Sequence, residues 1–499
     1  MTTDPVRGSV FDRRRLGVLL HPSSLPGPGL RGDLGQGARH FVDLIANAGV
    51  SVWQVLPLGP PGGGSPYNSL SAHAGDPGLI SLEEIAAAGF LTPALALQGQ
   101  RYDEHRAQVM RAAYHTFQEK ACDADRVDLV RFKAQHSSWL SDYCLYQCLK
   151  EQYRGVPWWE WPPGVRDRDR GEMGVILTGE GCEFVAFEQF MFFRQWHALR
   201  AYARARGIGI FGDIPIFVAE DSADVWAHRD LFVLDAYGRP EIVTGVPPDY
   251  FSAEGQRWGN PHYRWAKMAE DGFSWWRNRV ATQRELFDWM RIDHFRGLEA
   301  AWAIPFKSET GVDGHWLPVP GDALLASLRD CFGSLPLVAE DLGLITDAVY
   351  ALRDLYGLPG MRVLQFAFDG NPDNPHLPHN YMVNSVAYTG THDNDTTVGW
   401  FAGLSETERR IIRAYLPAID GDGSWGFIRA VIASVASLAV IPWQDVLGLG
   451  TAARMNTPGT SVGNWGFRFA WQDIPREALD ELRHLATLYG RKVDLQASC

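Results

Sequence analysis

Five short apolar runs of this chain end in groups that can do chemistry. They end at His21, at Asp213, at Arg291 with Asp293 and His294, at Glu340 with Asp341, and at His392 with Asp393. One Asp after a strand is usually a helix cap or a turn residue. Five such runs ask for a common explanation. Acids, an Arg and His residues at these ends fit two kinds of site. Carboxylates and His bind divalent metals, but the chain has no HExxH and no closely spaced Asp loop of the calcium-binding kind. Glycosyl transfer needs one carboxylate as nucleophile and one carboxylic acid to protonate the leaving oxygen. A third acid would hold sugar hydroxyls. Arg291 precedes Asp293 by two residues, so on a strand both point to the same side, where the guanidinium would favour the ionised carboxylate.

The runs that carry these residues cover 17–21, 52–57, 209–215, 289–294, 337–341, 362–368, 386–392 and 446–449. Each is Leu-rich or β-branched and bounded by Gly, Pro or charge, as buried parallel strands are. Helical patterns lie between them. Phe41, Leu44, Ile45 and Ala48 recur at i, i+3, i+4 and i+7, and Gly49 comes next, in the position that ends a helix. Alternating strands and helices predict an α/β fold, and about eight strands predict a (β/α)₈ barrel. The carboxyl ends of such strands open on one face, so residues distant in sequence would converge there. A bare barrel takes about 250 residues. About half of this chain is therefore inserted, and the insertions are placed at 80–205 and 228–285. Residues 1–499 read as a single catalytic barrel with no separate C-terminal domain.

Composition narrows the partners. The 499 residues are 46% hydrophobic and 21% charged, with a net charge of −13. That charge disfavours nucleic acid and anionic membranes, which attract basic faces, and leaves a neutral partner such as a sugar open. The 19 Trp fit a rich core as well as sugar stacking. The apolar run 16–20 is too short for a signal peptide, and the longest apolar stretch, 430–443, is too short to span a bilayer. Cys122, Cys144, Cys148, Cys182, Cys331 and Cys499 form no C-x-x-C pair. Cys144 and Cys148 would be half a zinc site at helical spacing, but nothing completes it, so buried free thiols in a reducing cytoplasm are expected. Residues 59–65 lack the Lys of a phosphate loop, Gly448-Leu449-Gly450 is too isolated for a dinucleotide site, and no G-x-S-x-G occurs.

Motifs spread almost end to end carry a resemblance. They read GVLLHPSSLPGP, WQVLPLGP, SPYNS, GDIPIFVAEDSADVWAH, GVPPDYFSAEGQRWGNPHYRW, RIDHFRG, VAEDLGLIT, GLPGMRVLQFAF, YTGTHDNDTT and DVLGLGTAARMNTPG. The chain resembles the amylomaltases, or 4-α-glucanotransferases, relatives of the α-amylase group. The resemblance implies a (β/α)₈ barrel with inserted, largely helical subdomains and transfer of an α-1,4-glucan segment to the 4-OH of glucose or another glucan. It implies a retaining double displacement through a covalent glucosyl-enzyme, with no cofactor and no metal. By motif, Asp293 is the nucleophile, Glu340 the acid/base and Asp393 the transition-state stabiliser beside His392. Asp213 and Arg291 support the reacting sugar, with His294 beside them. Ser65 and Tyr67 form a donor-side wall, and Asn464 a further donor-side contact.

The same carboxylates serve hydrolysis and transfer. The segment 245–260 discriminates, because Asp249, Tyr250, Phe251 and Trp258 lie on a Pro- and Gly-punctuated stretch, read as a surface loop. Aromatics there would hold an acceptor glucan and shed water. Trp158-Trp159-Glu160-Trp161 and the run 187–196 read instead as packing. Two stretches depart from the family pattern. Pro61-Gly62-Gly63-Gly64 precedes Ser65-Pro66-Tyr67 where an aromatic and an acid are usual, and Leu30-Arg31-Gly32-Asp33-Leu34-Gly35 replaces YGIGDLG.

Overall fold

The computed structural model describes residues 11–101, 103–177, 179–248, 252–416 and 423–493. Eight parallel strands form its centre: Arg15–Leu19, Val52–Gln54, Gly209–Pro215, Trp289–Asp293, Leu337–Ala339, Gly360–Val363, Ser385–Tyr388 and Leu438–Pro442. Each neighbours the next in sequence, and the eighth pairs with the first. The fifth and sixth close the ring through a 2.8 Å hydrogen bond from Ala339 N–H to Pro359 O. Both faces of these strands are covered, which is why they read as near-continuous apolar runs. Tyr388 reaches across the barrel interior and donates to Gln54 Oε1 at 3.0 Å.

The first helix, Gln36–Asn47, buries Ala38, Phe41, Val42 and Ile45 and ends at Gly49, whose φ of 79° is left-handed. Phe41 packs edge-on to Trp53 of the second strand and to Trp443 just past the eighth. A run of helices fills the interval between the second and third strands. It ends in the 25-residue helix Glu180–Arg204, whose buried Phe187, Phe190, Phe192 and Trp196 match the packing expected of 187–196. Trp158 and Trp161 are buried as expected.

Two expectations are corrected. The eighth strand is not 446–449 but Leu438–Pro442, inside the long apolar stretch. Pro442 ends it, Trp443–Val446 forms a short helix, and Gly448 turns left-handed at φ 64°. Segment 245–260 is not simply a surface loop. Its ends belong to the antiparallel strands Ile242–Val246 and Gln256–Pro261, with Val246 opposite Gln256. Two more strands, Ala300–Pro305 and His315–Pro318, complete a four-stranded sheet. Its partners come from separate intervals of the chain, and Gly245, Gly255 and Gly259 blur the period-2 pattern of the hairpin. The thiols also divide: Cys144 and Cys182 are buried and Cys148 half-buried, but Cys122 and Cys331 are exposed.

Asp341 locks the ring closure. Its fully buried carboxylate accepts from Met361 N–H at 2.6 Å, from Arg353 at 2.6 Å and from Arg362 at 3.3 Å. Asp341→Ala leaves the buried Arg362 without a carboxylate and Arg353 with only the exposed Asp354, which should cost about 3–5 kcal/mol. Urea unfolding monitored by Trp fluorescence checks this; an unchanged midpoint would show that the lock contributes nothing.

Candidate functional site

Strand register creates the centre of the site. Asp213 and Arg291 are Cα partners on the third and fourth strands, so their side chains enter the barrel mouth side by side. Arg291 Nη1 donates to Asp213 Oδ2 at 2.6 Å, and its Nη2 to Asp293 Oδ1 at 2.7 Å. Burial works against the charge of Arg291, but the two carboxylates outweigh it and hold its pKa well above the ordinary value. Burial pushes Asp213 upward against the pull of Arg291.

Glu340 comes directly after the fifth strand. Its N–H donates to Ile292 O at 3.1 Å and its carbonyl accepts from Phe295 N–H at 3.1 Å, so the ladder sets Glu340 beside Asp293. Its carboxyl accepts from His294 N–H at 2.6 Å and from Leu342 N–H at 2.8 Å. The first of these bonds starts from a strained residue, since His294 lies at φ 53°, ψ 52°, a left-handed conformation uncommon outside glycine. Burial pushes the Glu340 pKa up to about 7; Arg291 and the two N–H donors pull it down, and Asp293 adds to the rise. Two neighbouring carboxyls thus sit in different environments, the pattern that separates an acid from an anion.

A tight hairpin delivers Tyr67. Strands Pro61–Gly62 and Ser65–Ser69 are joined by Gly63 and Gly64, both at positive φ (61° and 85°), as a two-residue hairpin turn requires. Ser65 Oγ accepts from Tyr67 N–H at 3.3 Å, so Ser65 braces the residue next to it but one. Tyr67 Oη donates to Asp213 Oδ2 at 2.7 Å, and its ring stacks on His392 at 5.1 Å and 13°. Burial and the charge of Asp213 push the phenol well above its ordinary pKa, which keeps it a donor. His392 Nε2 lies 3.3 Å from Asp393 Oδ2.

The other expected residues are spread around this centre. Trp258 is 39% exposed and stands edge-on to His294 at 4.8 Å. Burial lowers His294 to about 4, and its Nε2 has no partner among the described residues; neither has Asp213 Oδ1. Asn464 spends its amide inside its own loop, accepting from Thr457 N–H and donating to Thr460 O and Oγ1. Asp249, Tyr250 and Phe251 lie outside the described residues. His21 is buried beside Thr391, His392 and Gln444. Sequence reasoning missed Asn456, whose Nδ2 donates to Asp393 Oδ1 at 2.6 Å, and Arg454, whose Nη2 donates to Asp393 O at 2.7 Å. Both stand in the motif DVLGLGTAARMNTPG, but no run or spacing of theirs pointed at Asp393. Among the described residues no group of three His, Cys, Asp or Glu could hold a metal ion.

Comparison with known proteins decides the family. A family model described as 4-alpha-glucanotransferase matches residues 20–473. The chain belongs to the 4-alpha-glucanotransferase family. It is 47% identical to the 4-alpha-glucanotransferase of Thermus thermophilus over 94% of this chain and 96% of that one. It is 45% identical to that of Synechocystis over 97% and 99%. The solved amylomaltase from Streptococcus agalactiae, a complex with acarbose, superposes with a TM-score of 0.92 at 33% identity, covering 96% of this chain and 100% of that one. Family membership makes the chain a hexosyltransferase on a barrel scaffold. No helix among the described residues is long and apolar enough to cross a membrane.

Tyr67→Phe keeps the ring on His392 and removes only the bond to Asp213. A hydrogen bond to a charged group contributes about 1.5–3 kcal/mol, so kcat/KM for glucan transfer should fall about 10- to 100-fold with circular dichroism unchanged. Wild-type kinetics in this variant would mean that the Tyr67–Asp213 bond is incidental.

Proposed function

We propose that the barrel mouth runs a retaining double displacement on α-1,4-glucans, with Asp293 as nucleophile, Glu340 as acid/base and Asp393 as stabiliser of the oxocarbenium-like sugar. The observation that carries this reading is the pairing of Asp293, held against Arg291 at 2.7 Å, with a buried Glu340 that keeps its proton up to about pH 7. Asp293 attacks the anomeric carbon while Glu340 gives its proton to the leaving 4-oxygen. Glu340, now ionised, then takes the proton from the incoming 4-OH as the sugar–Asp293 bond breaks. Asp213 Oδ1 and His294 Nε2, both without partners among the described residues, are polar atoms that sugar hydroxyls would satisfy. Tyr67, Ser65 and Asn464 belong to the donor side, Ser65 and Asn464 as braces of their own loops.

Transfer rather than hydrolysis rests on the exposed Trp258 at the mouth and on Asp249, Tyr250 and Phe251 in the same segment; these would bind the acceptor and displace water. Donor and acceptor are maltooligosaccharides or amylose, with glucose as the smallest acceptor, and the chemistry needs no cofactor. We take 1–499 as one catalytic barrel, because the intervals 80–205 and 228–285 lie between consecutive barrel strands. We take the compartment to be the cytoplasm, in keeping with six cysteines that form no C-x-x-C pair.

Maltotriose separates the outcomes. Longer oligomers together with glucose are expected; glucose and maltose without longer chains would overturn transfer in favour of hydrolysis. Asp293→Asn should lower turnover by at least about 10⁴-fold, the scale on which loss of a nucleophile is felt. The sign of the pH effect comes from the raised Glu340 pKa. The proton needed for the first step is present below about pH 7 and lost above it, so kcat/KM should fall about tenfold per pH unit on the alkaline side. A flat profile to about pH 9 would remove Glu340 from the role of acid.

A further inference from the structure

The carboxylate of Asp393 is held by two loops. Its own, 391–395, brings His392 to Oδ2 at 3.3 Å. The other, 454–457, lies beyond the eighth strand and short helix and brings Asn456 Nδ2 to Oδ1 at 2.6 Å. Further bonds stitch the loops into one unit. Asn456 N–H donates to His392 O at 3.1 Å, and Arg454 donates to Asn456 O and to Asp393 O, both at 2.7 Å. Trp465, at a left-handed φ of 65°, donates from its N–H to Met455 O at 2.7 Å and lays its ring 6.1 Å from His392 and 5.7 Å from Tyr67. An anion at the edge of an open cleft has several rotamers and solvation states; a neutral amide donor on one oxygen and an imidazole on the other leave it one.

We propose that Asn456 is a positioning residue for the glucan-transfer reaction, fixing the Asp393 carboxylate in the rotamer that meets the reacting sugar and keeping it ionised, with Arg454 holding the backbone of both loops in register. This rests on the reading of Asp393 as the stabiliser. The choice of an amide is specific: its N–H₂ supplies a donor without adding charge. A Lys at this position would compete with the sugar for the carboxylate, and an Asp would oppose it.

The pKa of Asp393 fits this arrangement. Burial pushes it up, but the charge of His392 and the hydrogen bonds from His392 and Asn456, with Arg291 beyond, hold it well below the usual carboxylate range. The other charged and titratable groups around the pocket are Tyr67 from the hairpin, Asp213, Arg291, Asp293 and Glu340 from the strands, and Arg454 from the second loop.

The test uses the full-length protein with maltotriose as substrate. Asn456→Ala should lower kcat at least about 30-fold while KM changes less than about threefold, because the interaction serves the transition state more than the ground state. Asn456→Asp keeps the shape and sets a second carboxylate against the first. It should move the acid limb of the kcat/KM profile upward by at least about one pH unit, a shift that loss of packing alone does not produce. The melting temperature of each variant reports on the fold, and the Asp variant carries the test if the Ala variant does not fold. Asp393→Asn separates the role of the stabiliser from that of its holder. If it turns over normally, the role of Asp393 fails and this inference with it. If it is inactive while Asn456→Ala keeps wild-type kcat and Asn456→Asp an unmoved acid limb, the positioning role of Asn456 alone is overturned.

Discussion

The guanidinium of Arg291 bridges two carboxylates inside the barrel mouth, and the rest of the site is arranged around that bridge. Arg291 is 4% exposed and Asp213 1% exposed. Removing such groups from water costs several kcal/mol per ion, and the cost is offset only when geometry and hydrogen bonds are nearly complete. Here one donor arm goes to each carboxylate and Tyr67 gives Asp213 Oδ2 a further bond, while Asp213 Oδ1 has no partner among the described residues. The bridge is possible because Asp213 and Arg291 are register partners on adjacent parallel strands. A slip of one residue would turn one of them out of the mouth. The barrel ladder is therefore the positional standard for the charge pattern.

From this bridge the field falls off unevenly, and the carboxyls sit in different environments. Asp293 touches Arg291 directly. Glu340 shares its pocket but among the described residues meets two backbone N–H donors and no cation in contact. Burial then dominates and lifts its pKa to about 7. Asp393, on the far side of Tyr67 and His392, receives an imidazole and an amide and goes the other way. Glu340 and Asp393 are thus set apart by the strand end each follows and by the donors that the adjoining loop brings.

The sequence was most legible where chemistry and fold share a cause. Buried parallel strands must be apolar runs, and the residue at the end of such a run in a barrel faces the cleft, so Asp213, Arg291, Asp293, Glu340 and His392 could be picked out. Legibility failed where partners are remote. The strand Ile242–Val246 is held on one side by Gln256–Pro261 and on the other by Ala300–Pro305, far along the chain, and no local pattern announces the second. The eighth strand hid inside a longer apolar stretch because its helix Ser424–Ala433 is apolar too. Asn456 lies on an irregular loop, where an Asn is ordinarily a turn residue. Asn464 shows the converse: its motif pointed to a donor-side contact, while its amide is occupied by its own loop.

The cleft is asymmetric in how its walls are built, and that bears on the choice between sugar and water as acceptor. On the side of Asp213, Tyr67, His392 and Asp393, Tyr67 holds Asp213 Oδ2, Asn456 holds Asp393 Oδ1, and the ring of Tyr67 stacks on His392 with Trp465 tilted against both. Such a wall can grip a sugar through both half-reactions. Beside His294, Trp258 on a hairpin strand is 39% exposed and touches that ring by its edge. A partly exposed indole gains burial when a sugar ring covers it and gains nothing from water. On the proposed reading, the held side would keep the glucosyl group on Asp293, while Trp258 would reward an acceptor that brings apolar surface. On that reading the discrimination between transfer and hydrolysis would lie in surface burial at the mouth, separate from the electrostatics of the carboxylates beneath it.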